Sequence, residues 1–190
     1  MPQKLLIVSG SPNLTSRLYG PVQYLEGRLD EEGLQHELLH IAELPHTDLI
    51  TANFAGEEIK EALRKVEQAD AVVFASPVYK ASYSGVLKTF LDLIPQEGLR
   101  DKPVLPLLVG GTIAHLLAID YALKPVLNAL SARNILGGVY AVDREIERRP
   151  EGGYTLSEEI VSRLERSLAE IRIELKRREN EPASLPELHV

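Results

Sequence analysis

Short apolar stretches alternate with longer amphipathic stretches along most of the chain. The apolar stretches over 4–8, 71–75 and 102–109 are rich in Val, Leu and Ile, which is typical of strands buried on both faces of a sheet. Strand and helix alternate five times, and no two neighbouring strands carry a hairpin signal. This pattern predicts an α/β fold in which helices cover both faces of an open parallel sheet.

Length and composition limit the class of protein. The 190 residues suffice for one domain with a substantial core, which we expect to span 1–178, followed by a flexible tail over 179–190. The 28 acidic residues outnumber the 21 basic ones, and the formal charge of −7 argues against binding to nucleic acid or to an anionic membrane surface. Cysteine is absent, which excludes disulfides, thiolate metal sites and thiol catalysis. Neither a transmembrane segment nor a secretory signal is recognisable, so we expect a cytoplasmic protein.

A loop rich in hydroxyl groups follows the first strand. It contains Ser9, Ser11, Thr15 and Ser16, and Arg17 stands where the next helix begins. Helix-start amides, hydroxyls and a guanidinium together suit a phosphate dianion, although a capped helix with a solvated arginine would have the same sequence. We favour phosphate binding. Because both the dinucleotide and the P-loop signatures are missing, a mononucleotide is the better candidate.

The loop over 76–85 follows the apolar stretch 71–75. We expect Ser76-Pro77 to end that strand, because proline cannot donate to a ladder of hydrogen bonds. The loop then brings tyrosine rings, hydroxyls and a turn-forming glycine together before a helix. A flat conjugated ring with a polar rim would fit this surface, although tyrosines that merely pack would leave the same pattern.

A pair of glycines, Gly110-Gly111, follows the strand over 102–109 and is succeeded by Thr112. Paired glycines let a backbone approach a ligand closely and present N–H groups to it, although an ordinary turn can have the same sequence. The carboxyl ends of the strands of an open parallel sheet are where ligands bind. As the third such loop, it is therefore assigned to the same site.

The segment 113–130 predicts a long helix that is apolar nearly all round, so we expect burial on more than one side, for example against another subunit. Pro125 removes the helical bond to the carbonyl of Tyr121, which predicts a kink or π-type bulge near that residue. Beyond it we expect a last strand over 135–142 broken at Gly137-Gly138, a mobile segment over 143–153, and a helix from Tyr154 to about Arg178.

Four motifs resemble those of the NAD(P)H-dependent FMN reductases. They are Gly-Ser-Pro-x-x-x-Ser-Arg at 10–17, Ser-Pro-Val-Tyr at 76–79, Ser-Gly-Val-Leu-Lys at 84–88 and Gly-Gly-Thr at 110–112. The longer stretches around the last three are most similar to the reductases of two-component alkanesulfonate monooxygenase systems. The resemblance covers about 5–142, and it implies a flavodoxin-like, doubly wound, five-stranded parallel sheet of order 2-1-3-4-5.

The resemblance also implies an FMN site made of the three loops. The first loop would hold the phosphate, the second would line the isoalloxazine and the ribityl chain, and the third would close the pyrimidine side of the ring. The residues it implies are Ser9, Ser11, Ser16, Arg17, Leu18, Pro77, Val78, Tyr79, Lys80, Tyr83, Ser84, Gly85, Gly110, Gly111 and Thr112. Asn13 departs from the family pattern, which often has an arginine there, so Arg17 would have to supply more of the positive charge.

The implied activity is hydride transfer from NADPH to FMN, with reduced FMN supplied to a partner FMN-dependent monooxygenase that desulfonates alkanesulfonates. Because the cofactors carry the chemistry, no catalytic side chain and no metal is assigned, and backbone N–H groups near Gly111 are expected to stabilise the charge on reduced flavin. Tyr121 matches a tyrosine that marks a π-helix at an oligomer interface, which implies a homo-oligomer, most simply a tetramer. An FMN-retaining quinone or azo reductase and a flavodoxin-like electron carrier remain as alternatives.

Overall fold

The computed structural model describes residues 3–180. The first part of the chain contains β1 (Lys4–Ser9), α1 (Tyr19–Glu31), β2 (Gln35–His40), a 3-10 turn (Ile41–Glu43), α2 (His46–Thr51), α3 (Glu57–Gln68), β3 (Ala71–Tyr79), β4 (Ser82–Tyr83), α4 (Gly85–Leu91) and β5 (Pro103–Gly110). The second part contains a 3-10 turn (Ile113–His115), a π-helix (Ile119–Leu123), α5 (Lys124–Ala129), β6 (Asn134–Ile135), β7 (Val139–Val142), a 3-10 turn (Asp143–Glu145), β8 (Ile146–Arg148), β9 (Tyr154–Leu156) and α6 (Glu158–Asn180).

The main sheet is parallel, and its strands lie in the order β2-β1-β3-β5, with β6 and β7 both paired to β5 at the far edge. The two short strands are the halves of the predicted fifth strand, and Gly137 and Gly138 separate them. Gly138 has φ +89°, a conformation that interrupts a strand and suits glycine. The flavodoxin-like order predicted from the sequence is therefore confirmed.

Helices cover both faces of this sheet and create two apolar layers. On one face, α1 and α6 pack through Leu25, Leu29 and Leu168 against β1, β3 and β5. On the other face, α3, α4, the π-helix and α5 pack over the sheet, with Phe74 and Phe90 fully buried. Within residues 3–180, no helix combines the length and the apolar character needed to cross a membrane.

Strand β3 runs through Ser76-Pro77 to Tyr79, so the expectation that this dipeptide ends the strand is wrong. The carbonyl of Ala75 accepts a hydrogen bond from the N–H of Gly10 at 2.8 Å, so the backbone of Ala75 faces β1. Two residues later, the backbone of Pro77 faces the same side, because the direction of bonding alternates along a strand. Since β1 has ended by then, the missing N–H of Pro77 removes no ladder bond.

Two antiparallel hairpins accompany the parallel sheet, which corrects the expectation of none. The first joins β3 to β4 through Lys80 and Ala81, whose φ angles of 49° and 64° match the two central positions of a type I′ turn. The second, β8 with β9, pairs Ile146 with Leu156. It occupies part of the segment predicted to be mobile, and it delays the start of α6 to Glu158 rather than Tyr154.

The segment 113–130 is not one continuous helix. A 3-10 turn, the π-helix and α5 succeed one another, and the π-helix contains Tyr121, where the sequence predicted an irregularity. At the other end of the chain, α6 includes Glu179 and Asn180, and the rest of the predicted tail, 181–190, lies outside the described residues.

Candidate active site

The loops after β1, β3 and β5 meet at the carboxyl edge of the sheet and enclose an open cleft of about 240 Å³. The three sequence segments that were expected to form one site therefore line one cleft. The residues that line the cleft are Asn13, Ser16, Arg17, Pro77, Val78, Tyr79, Val109, Gly110, Gly111, Asp143 and Arg148.

The loop after β1 is held in shape by its own side chains. The Asn13 side-chain carbonyl accepts hydrogen bonds from both the N–H and the hydroxyl of Thr15, each at 2.7 Å. The buried hydroxyl of Ser11 donates to the backbone carbonyl of Asn13 at 2.8 Å. Asn13 is thus the residue that folds the loop, as asparagine commonly does in turns. It brings no positive charge to the cleft.

Ser16 and Arg17 supply the polar groups of this loop that border the cleft. The Ser16 hydroxyl accepts from the N–H of Leu18 at 3.2 Å, which leaves its proton available for a ligand. The Arg17 Nε donates to the carbonyl of Ile146 at 3.1 Å, which fixes the guanidinium beside the cleft while its terminal nitrogens keep further donors. A hydroxyl and an oriented guanidinium form a donor set that suits a phosphate.

Ser9 and Leu18 support the loop from inside the protein. Both side chains are fully buried. The Ser9 hydroxyl lies 3.0 Å from the hydroxyl of Tyr19, which in turn lies 2.9 Å from Nδ1 of His40. Burial raises the pKa of Tyr19, so its hydroxyl stays neutral and remains a hydrogen-bonding link. These groups position the start of α1 beneath the cleft.

The loop after β3 is fixed by two serines. The Ser76 hydroxyl accepts from the N–H of Ser84 at 2.8 Å, and the Ser84 hydroxyl donates to the carbonyl of Gly10 at 2.5 Å. The Ser84 hydroxyl also caps α4 by accepting from the N–H of Leu87 at 3.0 Å. Because these bonds tie the second loop to the first, Tyr79 is held at the cleft with half of its surface, 51%, exposed.

The two glycines after β5 differ in their surroundings. A side chain on Gly110 would collide with the phenol of Tyr140 and approach Val78. A side chain on Gly111 would meet no protein atom within 4 Å, and Gly111 lines the cleft. No side chain therefore obstructs the backbone of Gly111, and a ligand in the cleft could approach that backbone closely.

Of the residues implied by the sequence motifs, seven border the cleft: Ser16, Arg17, Pro77, Val78, Tyr79, Gly110 and Gly111. The others lie around it. Ser9, Ser11, Leu18 and Ser84 are buried supports, whereas Lys80, Tyr83, Gly85 and Thr112 stand on the turn, hairpin and helix start next to the cleft. Thr112 accepts the hydrogen bond from the Tyr140 hydroxyl through its backbone carbonyl, at 2.7 Å.

Sequence reasoning missed Val109, Asp143 and Arg148 as cleft residues, and it treated Asn13 only as a departure from a pattern. Asp143 follows Val142, which pairs with Gly110, so it lies at the end of the cleft formed by the third loop. Arg148 comes from the β8–β9 hairpin and bonds the backbone carbonyl of Thr15. Pro150, Gly152 and Gly153 between two short strand-forming stretches were a turn signal that would have predicted this hairpin.

An open parallel sheet of this order has its ligand site at the carboxyl edge, where the strand order reverses. The cleft stands there, between the loops of β1 and β3, and it is lined by the Ser16 hydroxyl and Arg17 guanidinium, by the half-exposed ring of Tyr79 and by the backbone of Gly111. Fold and site together define a flavodoxin-like protein that binds a mononucleotide with a flat ring.

Comparison with known proteins gives the family. The model of the NADPH-dependent FMN reductase family matches residues 3–147. The FMN reductase (NADPH) of Escherichia coli K12 is 46% identical over 145 residues, which are 75% of this chain and 75% of the relative. The NADH-dependent FMN reductase SfnF of Pseudomonas putida is 34% identical over 142 residues, covering 73% and 76%. The crystal structure of the apo form of the NADH:FMN oxidoreductase EMOB superposes with a TM-score of 0.76 at 31% identity, covering 90% and 89%.

The chain therefore belongs to the NADPH-dependent FMN reductase family, as its motifs indicated. It is an oxidoreductase that uses FMN and NADPH. The chemistry of the cleft is compatible with a flavin: Arg17 and Ser16 offer donors that would suit its phosphate, and Tyr79 and Gly111 offer an aromatic face and an unobstructed backbone.

Proposed function

We propose that this protein reduces FMN as an exchanging substrate and supplies reduced FMN to a partner FMN-dependent monooxygenase that desulfonates alkanesulfonates. The observation that carries the proposal is the openness of the cleft at its ring end. Tyr79 is half exposed, and a side chain on Gly111 would meet no protein atom within 4 Å outside its chain neighbours. A ring bound there can leave without any element having to unfold. The likeness of the longest motifs to reductases of two-component alkanesulfonate systems indicates the kind of partner.

The residues of the cleft have separate roles in this proposal. Arg17 and Ser16 would hold the phosphate and so fix the register of the flavin. Tyr79 would pack on the ring, and the backbone N–H of Gly111 would donate to its pyrimidine side, where negative charge accumulates on reduction. FMN supplies the hydride-accepting chemistry, and the protein supplies orientation and electrostatics. No side chain is required to transfer a proton.

Steady-state oxidation of NADPH by desalted protein, with and without added FMN, tests this proposal. A rate that depends on added FMN, with no flavin retained after desalting, is the expected result. A rate that is independent of added FMN but saturates with a quinone or azo dye would instead identify a reductase that retains its flavin. No oxidation under either condition would identify an electron carrier. In the presence of O2 and an alkanesulfonate, an added alkanesulfonate monooxygenase should then release sulfite only when the reductase, NADPH and FMN are all present.

We further propose that the chain forms a homo-oligomer, most simply a tetramer, through the π-helix region. Ile113, Leu116, Leu117 and Tyr121 are large apolar side chains that this segment exposes, and Tyr121 is 79% exposed. An apolar group of this size on one segment is typical of a surface that another subunit covers. The match of Tyr121 to a tyrosine at the oligomer interface of similar reductases supports the same surface.

A further inference from the structure

One face of the β8–β9 hairpin contacts the loop after β1 and the start of α1. Ile146, Arg148, Tyr154 and Leu156 share that face, because they are paired across the hairpin and side chains alternate along each strand. Gly20, at the start of α1, packs closely against Ile146, Leu156 and Tyr154. A side chain at Gly20 would collide with this apolar part, so the hairpin rests directly on the start of the helix.

The polar part of the same face reaches the phosphate loop. The Tyr154 hydroxyl donates to the carbonyl of Ser16 at 2.9 Å and lies 3.4 Å from the carbonyl of Thr15. The Arg148 guanidinium bonds the Thr15 carbonyl, and in the opposite direction Arg17 donates to Ile146 of the hairpin at 3.1 Å. These contacts cross between the two segments in both directions, and both arginines line the cleft.

We propose that Arg148 is a second phosphate-binding residue, and that the hairpin supplies the positive charge that Asn13 does not. Arg148 lines the cleft together with Ser16 and Arg17, and a guanidinium that has used one donor on a carbonyl keeps others for a ligand. The Asn13 side-chain carbonyl is engaged within its own loop. The protein as a whole carries a formal charge of −7. The two guanidinia that line this cleft are therefore a local concentration of positive charge, which favours the binding of a dianion.

The position of Arg148 in the sequence and the presence of Asp143 in the cleft both bear on the assignment of Arg148 to the phosphate. The family model matches residues 3–147, so Arg148 and Tyr154 lie just beyond the matched segment. Asp143 also lines the cleft, but it follows the residue paired with Gly110, at the ring end. Arg148 is the one of the two that contacts the loop after β1, through its bond to the carbonyl of Thr15. The inference rests on the proposal that the cleft binds FMN.

The test compares FMN with riboflavin, which has the same ring but lacks the phosphate. Dissociation constants are measured by quenching of flavin fluorescence for the wild type and for Arg148→Met, Arg148→Lys, Arg17→Met and Arg149→Met. Arg148→Met should weaken FMN roughly 10- to 100-fold, the range for one charge-assisted hydrogen bond, and change riboflavin less than about twofold. Its FMN affinity should also fall less steeply with salt, because fewer charges pair with the phosphate. Arg148→Lys should recover part of the loss.

Arg149→Met is the matched control, because Arg149 stands one residue further along the hairpin and borders the groove between α1 and α6. It should leave both affinities unchanged, and Arg17→Met should reproduce the selective loss of FMN. Equal losses of FMN and riboflavin in Arg148→Met would overturn the proposal and leave the hairpin a structural support. Unchanged affinities would overturn it too. Failure of the wild type to oxidise NADPH, with the selective loss still present, would contradict the proposed function while supporting this phosphate site.

Discussion

The phenol of Tyr140 occupies the space into which a side chain on Gly110 would project, and its hydroxyl donates to the carbonyl of Thr112 at 2.7 Å. Gly110 is therefore required for packing between β5 and β7. Gly111 borders open space in the cleft instead. Two adjacent glycines of one motif thus serve different ends, the first for the core and the second for the ligand.

Because their surroundings differ, substitution by alanine should affect stability at Gly110 and FMN binding at Gly111. Gly110→Ala should destabilise the protein by about 1–3 kcal/mol, the usual cost of overpacking, and Tyr140→Phe should recover part of that loss. Gly111→Ala should leave the free energy of unfolding nearly unchanged and weaken FMN binding. Urea unfolding and flavin titration of the variants measure both quantities. A Gly111→Ala protein with unchanged FMN affinity would show that the space beside this residue is not used by the flavin.

Strands β1, β3 and β5 were predictable because each contains a long apolar run, and such a run has few alternatives to a fully buried strand. The path of β3 through Pro77 was not, because the cost of proline in a strand depends on whether a neighbouring strand is present at that position. The β3–β4 hairpin was missed because Lys80-Ala81 has none of the sequence preferences of a type I′ turn. Tertiary contacts impose that turn on residues that do not favour it.

The site was predictable as three loops but not as a list of contacts. Arg17, Tyr79 and Gly111, which the motifs singled out, border the cleft. The motifs could not distinguish a serine that faces a ligand from one that holds a loop, as Ser84 does by bonding the carbonyl of Gly10. Arg148 was missed because its approach to the first loop depends on a contact between segments more than a hundred residues apart.

The turn between β3 and β4 predicts a stabilising change. Lys80 and Ala81 have φ angles of 49° and 64°, which are unfavourable for residues other than glycine, asparagine and aspartate. The double substitution Lys80→Asn with Ala81→Gly should stabilise the protein by about 1 kcal/mol, because Asn-Gly favours this turn. Urea unfolding measures the gain, and Ser82→Gly, just beyond the turn, is the control that should not stabilise. A loss of stability in the double variant would show that the turn is not strained.

The contact between α1 and α6 predicts a dependence of stability on pH. Oε1 of Glu165 accepts from the hydroxyl of Tyr24 and from Nε of Arg28, each at 2.7 Å. The bond from Tyr24 and then the bond from Arg28 hold the pKa of Glu165 below its ordinary value. A lowered carboxyl pKa stabilises the folded state above the ordinary pKa, and this stabilisation disappears as the pH falls through the lowered one.

Glu165→Gln should therefore be less stable than the wild type at neutral pH, and the difference should shrink as the pH falls below the ordinary carboxyl value of 4.5 and through the lowered pKa of Glu165. Burial, together with the bond to Glu165, raises the pKa of Tyr24 to about 12. The contribution of this tyrosine to the stability of the folded state is therefore lost only as the pH rises from 10 towards that value. Urea unfolding at a series of pH values measures the difference, with the exposed Glu151→Gln as control. A difference that stays constant across the acid range would exclude the proposed linkage.

The exposed π-helix predicts self-association. Wild-type protein should sediment as an oligomer at micromolar concentration, and Tyr121→Ala should shift it towards smaller species, because this side chain is 79% exposed on an apolar surface. Phe54→Ala is the matched control, since Phe54 is an exposed aromatic residue on a different part of the protein. A monomeric wild type, or equal effects of the two substitutions, would contradict an interface at Tyr121.

We propose that one cleft, formed by the loops after β1, β3 and β5, binds FMN with its phosphate at Arg17 and its ring at Tyr79 and Gly111. A crystal structure of the complex with FMN tests it most directly. We expect electron density for the phosphate within hydrogen-bonding distance of the Ser16 hydroxyl and the Arg17 guanidinium, with the ring against Tyr79. Flavin density at any other place on the protein, or a phosphate pointing away from Arg17, would contradict it.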